Sequence, residues 1–210
     1  MSSQKKLIAF TLYEGVSPLD VVGPLTVLRK VGPGWPFETV TVGERIARLE
    51  TDTSLQLIPA ATFADILSPF AVFIPGGGSA TLAAMHDEPL LAYLRSAAAS
   101  AEVIGSTGNG ALILAAAGLL AGHEAAIHWA YREQLESTGA RFTRERWHDD
   151  GKVLTAAGGT AGIDLMLHLV ARFKSESSAR LAQLATEYDP HPPFGGIESS
   201  FAERSYAHVA

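Results

Sequence analysis

The 210-residue chain contains no cysteine. That absence excludes disulfides, thiolate metal sites and any mechanism built on a thiol nucleophile. Positive charge is scarce too: 16 lysines and arginines stand against 22 aspartates and glutamates, a formal net charge of −6. This balance argues against nucleic acid or an anionic membrane as partner. No apolar run approaches the roughly 20 residues that cross a bilayer. The run Leu7-Ile8-Ala9-Phe10 is too short for a secretory core, and no small-residue cleavage site follows it. A cytoplasmic location is the expectation. The seven histidines (His86, His123, His128, His148, His168, His191 and His208) show no His-x-x-x-His pair or other ligand spacing, so no metal is expected.

With 47% hydrophobic residues, the chain can bury one sizeable core, and no linker or repeat divides residues 1–210. Leu7-Ile8-Ala9-Phe10-Thr11-Leu12-Tyr13, Phe70-Ala71-Val72-Phe73-Ile74 and Val103-Ile104-Gly105-Ser106 are near-continuous apolar runs. Such runs mark strands buried on both faces of a parallel sheet. Further strands are expected over 37–42, 55–58 and 153–156. Helices are expected over 19–31, 80–85, 89–100, 109–119, 160–173 and 179–186. Ser17 is placed as the cap of the first helix, Pro18 at its first position, and Pro24 as the source of a kink or the point where a first turn splits off. Strands alternating with helices indicate a single doubly wound α/β domain.

Ligands in such sheets bind beyond the carboxyl ends of the strands. Residues 13–20, 76–78, 106–110 and 158–160 then share one rim. Asp20 is the candidate acid–base group: flanked by Leu19 and Val21-Val22, its carboxyl can acquire a raised pKa. It could equally charge the first helical turn. Gly77 and Gly78, in the triplet after a buried strand, fit backbone donors to a ligand or a tight turn. No Gly-Lys-Ser/Thr follows, so this is not a phosphate loop.

Gly108 stands where a strand turns sharply into a helix, the place at which many α/β enzymes carry a nucleophile. Asn109 fits a helix cap or a hydrogen-bonding group for substrate. His128 and Trp129 can approach the same rim, or pack in the core, and Thr160 opens the helix beyond Gly158-Gly159. Ser106 and Thr107 offer hydroxyls, but no Gly-x-Ser-x-Gly surrounds them.

Taken together, Pro18-Leu19-Asp20-Val21-Val22-Gly23-Pro24, Phe73-Ile74-Pro75-Gly76-Gly77-Gly78 and Leu114-Ala115-Ala116-Ala117-Gly118-Leu119-Leu120 carry a resemblance. His128-Trp129-Ala130-Tyr131, Gly159-Thr160-Ala161-Gly162-Ile163-Asp164 and Glu187-Tyr188 with Pro190, Pro192-Pro193 and Phe194 extend it. In this order they resemble the ThiJ/PfpI (class I glutamine-amidotransferase-like) superfamily, in particular its isocyanide (isonitrile) hydratase branch. The resemblance implies a flavodoxin-like sheet, a homodimer, a cysteine on the elbow and an acidic residue beside it. Asp20 falls on the acidic position, Gly108 on the cysteine position and Asn109 on the residue after it. Backbone amides near Gly77 or Gly78 and at Asn109 correspond to the family's anion-binding groups.

Glycine at 108 removes the covalent route and is expected to enlarge the pocket. Two functions stay open: a cofactor-free lyase, hydratase, isomerase or cyclase using Asp20 on a small-molecule substrate, or a non-catalytic metabolite binder or sensor. An engineered cysteine-to-glycine replacement is a third account of Gly108.

Overall fold

The computed structural model describes residues 6–195, so His208 and the segment before residue 6 lie outside the described residues. In the main sheet β1 (Lys6–Thr11) is paired in parallel with β2 (Phe37–Gly43) on one side and β6 (Ala71–Ile74) on the other. The intervening short strands are β3 (Leu49–Glu50), β4 (Gln56–Leu57) and β5 (Ala61–Thr62). Beyond β6 come β7 (Val103–Ser106), β11 (Val153–Ala156) and the antiparallel edge strand β10 (Trp147–Asp150). The seven-stranded order is β10-β11-β7-β6-β1-β2-β5. Two small sheets stand apart, β3 with β4 and β8 (Glu124–Ala126) with β9 (Arg141–Thr143). This is the flavodoxin-like arrangement expected.

Alternation along the strands divides the core in two. Ile8, Phe10, Phe73 and Leu154 face one layer, built by α1 (Pro18–Arg29), α6 (Gly159–Phe173) and α7 (Glu176–Ala185). Ala9, Val72, Ile74 and Ile104 face the other, where α3 (Glu88–Ser100) and α4 (Ala111–Ala116) pack. The short helices α2 (Ser79–Ala84) and α5 (Arg132–Ser137) complete the set. Each fully buried Leu, Ile or Phe contributes about 1.5–3 kcal/mol relative to exposure, so burial on both faces explains why these strands are predominantly apolar. No helix among the described residues is long and apolar enough to cross a membrane.

Several local expectations needed correction. The helix expected over 109–119 opens as a 3-10 turn at Gly108–Gly110 and its α-helical part ends at Ala116, before Gly118 at φ 78. The strand expected over 55–58 is the two-residue β4, outside the main sheet. Ser17 occupies the cap position, but its side chain makes no capping bond. Pro24 lies inside a continuous 12-residue α1 rather than splitting off a first turn.

Gly105 allows the close approach of β6 to β7. A Cβ there would overlap the Phe73 ring and crowd the Leu154 carbonyl, and Phe73 stacks on Phe10 with centroids 5.4 Å apart. Gly105→Ala is expected to lower stability by about 1–3 kcal/mol through overpacking. Urea unfolding checks this, and an unchanged midpoint would contradict the packing described.

Candidate active site

Asp20, on the first turn of α1, reaches the ends of β6 and β7. It is 6% exposed. Its Oδ2 accepts the Gly76 N–H at 3.0 Å. Thus Asp20 binds across the sheet instead of capping its own helix.

The surroundings of this carboxyl are bare backbone. A Cβ on Gly76 would lie 3.0 Å from Oδ2, one on Gly159 2.7 Å from Oδ1, and one on Gly108 would overlap Oδ2. Three glycines from three connections therefore form a cradle for one carboxyl. Gly108 adopts φ 59, a left-handed conformation that glycine takes without strain. The pocket is consequently not enlarged by glycine at 108, because Asp20 Oδ2 occupies the space that a side chain there would enter.

Pro24 explains how α1 is held in place. A proline four residues after Asp20 supplies no N–H for the helical bond to the Asp20 carbonyl. The Thr107 hydroxyl supplies the missing donor at 3.2 Å. One imino acid thus leaves a carbonyl open, and the elbow closes it.

Burial is the main force raising the Asp20 pKa above the ordinary carboxylate value. The Gly76 amide and then the Thr107 hydroxyl oppose that rise, whereas Asp52 adds to it by repulsion. The result is a carboxyl biased toward its neutral, proton-donating form.

Asn109 is turned inward. Its Nδ2 donates to the Gly78 carbonyl at 2.7 Å, and its Oδ1 accepts from the Thr81 hydroxyl at 2.8 Å and the Gly77 N–H at 3.2 Å. Gly77 N–H also reaches Thr81 Oγ1 at 2.9 Å. Tyr13 lies behind this network, its hydroxyl 2.9 Å from the Pro75 carbonyl and 3.0 Å from Thr81 Oγ1. Burial raises the Tyr13 pKa, with Asp20, Asp52 and Tyr131 adding smaller repulsive contributions. Gly78 takes φ 55 at the start of α2. The Gly77 amide and the Asn109 carboxamide therefore brace the rim from within.

The other candidate residues divide. His128 N–H meets the Gly108 carbonyl at 3.4 Å, and the single 3-10 turn Trp129–Tyr131 follows directly. His128 is exposed and Trp129 half-buried, so neither lies in the core, and their ring centroids are 5.4 Å apart. His128 is exposed on one side, yet crowding by neighbouring protein atoms lowers its pKa. Thr160 is exposed at the start of α6, next to Gly159 in the cradle, and its carbonyl accepts the Tyr188 hydroxyl at 3.4 Å. Ser106 is fully buried, and its hydroxyl has no partner among the described residues. Among those residues no group of three or more His, Asp or Glu side chains is arranged to hold a metal ion.

Sequence reasoning placed Gly159 and Thr107 on the rim without foreseeing their contacts with Asp20, and it missed Thr81. For Thr107 a signal existed: the spacing of Asp20 and Pro24 announces a free carbonyl that must find a donor.

Comparison with known proteins gives a consistent result. The model of the DJ-1/PfpI family matches residues 6–172. The isonitrile hydratase of Pseudomonas putida is 39% identical over 188 residues, covering 89% of this chain and 80% of that protein. A ThiJ/PfpI family protein from Pseudomonas syringae superposes with a TM-score of 0.87 at 36% identity, over 93% of this chain and 80% of that one. The HTH-type transcriptional regulator GbdR of Pseudomonas aeruginosa is 27% identical over 83% of this chain, which spans 47% of the regulator.

Two consequences of the cradle can be measured. Gly108→Ala is expected to cost about 1–2 kcal/mol through the left-handed backbone alone, with displacement of Asp20 adding to it; an unaltered unfolding midpoint would contradict this. A carboxyl whose folded pKa is raised contributes stability that is lost as pH rises through that pKa. Asp20→Asn should therefore match the parent protein near pH 4 and exceed it in stability increasingly toward pH 8. A constant difference across that range in urea titrations would contradict the raised pKa.

Proposed function

Because the chain belongs to the DJ-1/PfpI family yet carries Gly108 at the elbow, we propose that it is a cofactor-free hydratase or lyase using Asp20 as general acid and base on a small molecule. The observation that carries this reading is the buried Asp20 carboxyl, anchored through Oδ2 by the Gly76 N–H and cradled by the backbones of Gly76, Gly108 and Gly159. A buried acid with a raised pKa can donate a proton near neutrality and retrieve one afterwards.

Isonitrile hydration is the first reaction to test, given the similarity to the Pseudomonas putida enzyme. Neutral Asp20 protonates the terminal carbon of R–NC, forming a C–H bond and a nitrilium ion. Water adds to that carbon, and its proton passes to the Asp20 carboxylate. The product R–N=CH–OH tautomerises to the formamide R–NH–CHO. No thiol enters, and the acid is restored.

Similarity to a regulator over most of the chain favours a second reading, in which the same pocket holds a metabolite unchanged. Turnover separates the two. The purified protein should convert an isonitrile to its formamide, and Asp20→Asn should lower kcat by about 10²–10⁴-fold. The acid step requires protonated Asp20, so kcat should fall as pH rises through its raised pKa. An equal rate in Asp20→Asn would overturn the assignment, while a tightly bound ligand recovered chemically unaltered would favour the sensor.

A further inference from the structure

Thr107 stands directly before the elbow and is 1% exposed, yet the reaction proposed above gives it no part. Its backbone is held on both sides: its N–H donates to the Ile74 carbonyl at 3.2 Å, and its carbonyl accepts the Gly110 N–H at 3.0 Å. Its methyl group faces α6, where a Cβ on Gly162 would lie 2.8 Å from Thr107 Cγ2 and 3.2 Å from Pro24 Cγ. The side chain is therefore fixed, with the methyl against Gly162 and the hydroxyl toward Asp20.

Two acceptors of one residue compete for that hydroxyl. It donates to the Asp20 backbone carbonyl at 3.2 Å, in place of the N–H that Pro24 lacks. It also bonds the Asp20 carboxyl, where, after the Gly76 amide, it opposes the upward push of burial on the pKa. A hydroxyl carries one hydrogen and gives it to one acceptor at a time. A carboxylate takes it in a shorter, stronger bond than a neutral carbonyl or carboxyl does. Around the pair, Asp52 donates its N–H to the Val16 carbonyl at 3.4 Å and repels the charged form. Tyr13 is tied to the Pro75 carbonyl, and burial keeps its hydroxyl neutral. His128 meets the Gly108 carbonyl through its backbone N–H. At the start of α6, Tyr188 bonds the Thr160 carbonyl and Arg146 pairs with Asp164.

We infer that Thr107 is a positioning residue for the Asp20 proton: its hydroxyl hydrogen bond passes from the Asp20 carbonyl to the carboxylate when that proton leaves, and returns when it is regained. Only the hydrogen bond moves, and the Thr107 O–H stays covalently intact. The gap that Pro24 leaves in α1 is then closed while Asp20 is neutral and open while it is charged. This rests on the reading of Asp20 as the acid, and it names the group that couples its proton to the seating of the helix that carries it.

The test is carbon-13 NMR titration of the Asp20 carboxyl in the full chain and its variants. Thr107→Val keeps the side-chain shape but removes the donor. It should raise the midpoint by about 0.5–1 pH unit, because a bond to a charged acceptor is worth more than one to a neutral carbonyl. Thr107→Ser keeps the hydroxyl and should leave the midpoint in place. Pro24→Ala restores a backbone N–H four residues after Asp20, which frees the Thr107 hydroxyl for the carboxyl in both states. It should lower the midpoint, and should lose that effect in a protein that also carries Thr107→Val. A threonine that only fastens α1 would move none of these midpoints. An unchanged midpoint in Thr107→Val or in Pro24→Ala would overturn the inference, as would a shift in Thr107→Ser equal to that in Thr107→Val. If Thr107→Val does not fold, Pro24→Ala decides alone. Shifted midpoints in a protein that hydrates no isonitrile uphold the role of Thr107 and refute only the proposed catalysis. Unshifted midpoints with turnover lost in Asp20→Asn do the reverse.

Discussion

One buried carboxyl organises this molecule's functional end. Asp20 is removed from water, anchored through Oδ2 to the Gly76 amide, and surrounded by the backbones of Gly76, Gly108 and Gly159. Each glycine stands on a different connection, so the positions of three strand ends are read by a single side chain. Burying a carboxyl is unfavourable unless the neutral form is populated or its partners are well placed. The fold sets this carboxyl beside the Gly76 amide at the carboxyl ends of parallel strands, where α/β sheets bind ligands.

The same geometry relates the missing thiol to the remaining acid. In the superfamily this chain resembles, the elbow carries cysteine and the first helix carries an acidic residue. Here the carboxyl lies in the volume a side chain on residue 108 would need. With no side chain on residue 108 there is no nucleophile for covalent capture at the elbow, and the chemistry proposed for the site is proton transfer. Thr107 and Pro24 belong to this design, since the hydroxyl closes the carbonyl that proline leaves open. Asn109, Thr81 and Tyr13 hold the glycine rim from behind.

Much of the framework was readable from the sequence because its signals are local. Continuous apolar runs announced β1, β6 and β7, and glycine after each marked the rim. The stretch over 120–152 was not readable. Its strands β8, β9 and β10 are three or four residues long, and β10 is Trp-His-Asp-Asp, whose polarity hides an edge strand with one open side. At the site, Asp20 and Gly108 could be singled out by type and position. That they compete for one volume could not, because the overlap depends on the left-handed elbow and on α1 lying across the strand ends. The inward turn of Asn109 was equally hidden, since its partner Thr81 lies 28 residues away in the chain.

The most direct test of a carboxyl-centred site is the ionisation of Asp20 itself. Carbon-13 NMR titration of the side-chain carboxyls, with Asp20→Asn identifying the resonance, measures it without any substrate. The account predicts a midpoint above the ordinary aspartate value of about 3.9. A midpoint at or below that value would contradict it, because Asp20 would then be an ionised structural anchor with no proton to give at neutral pH.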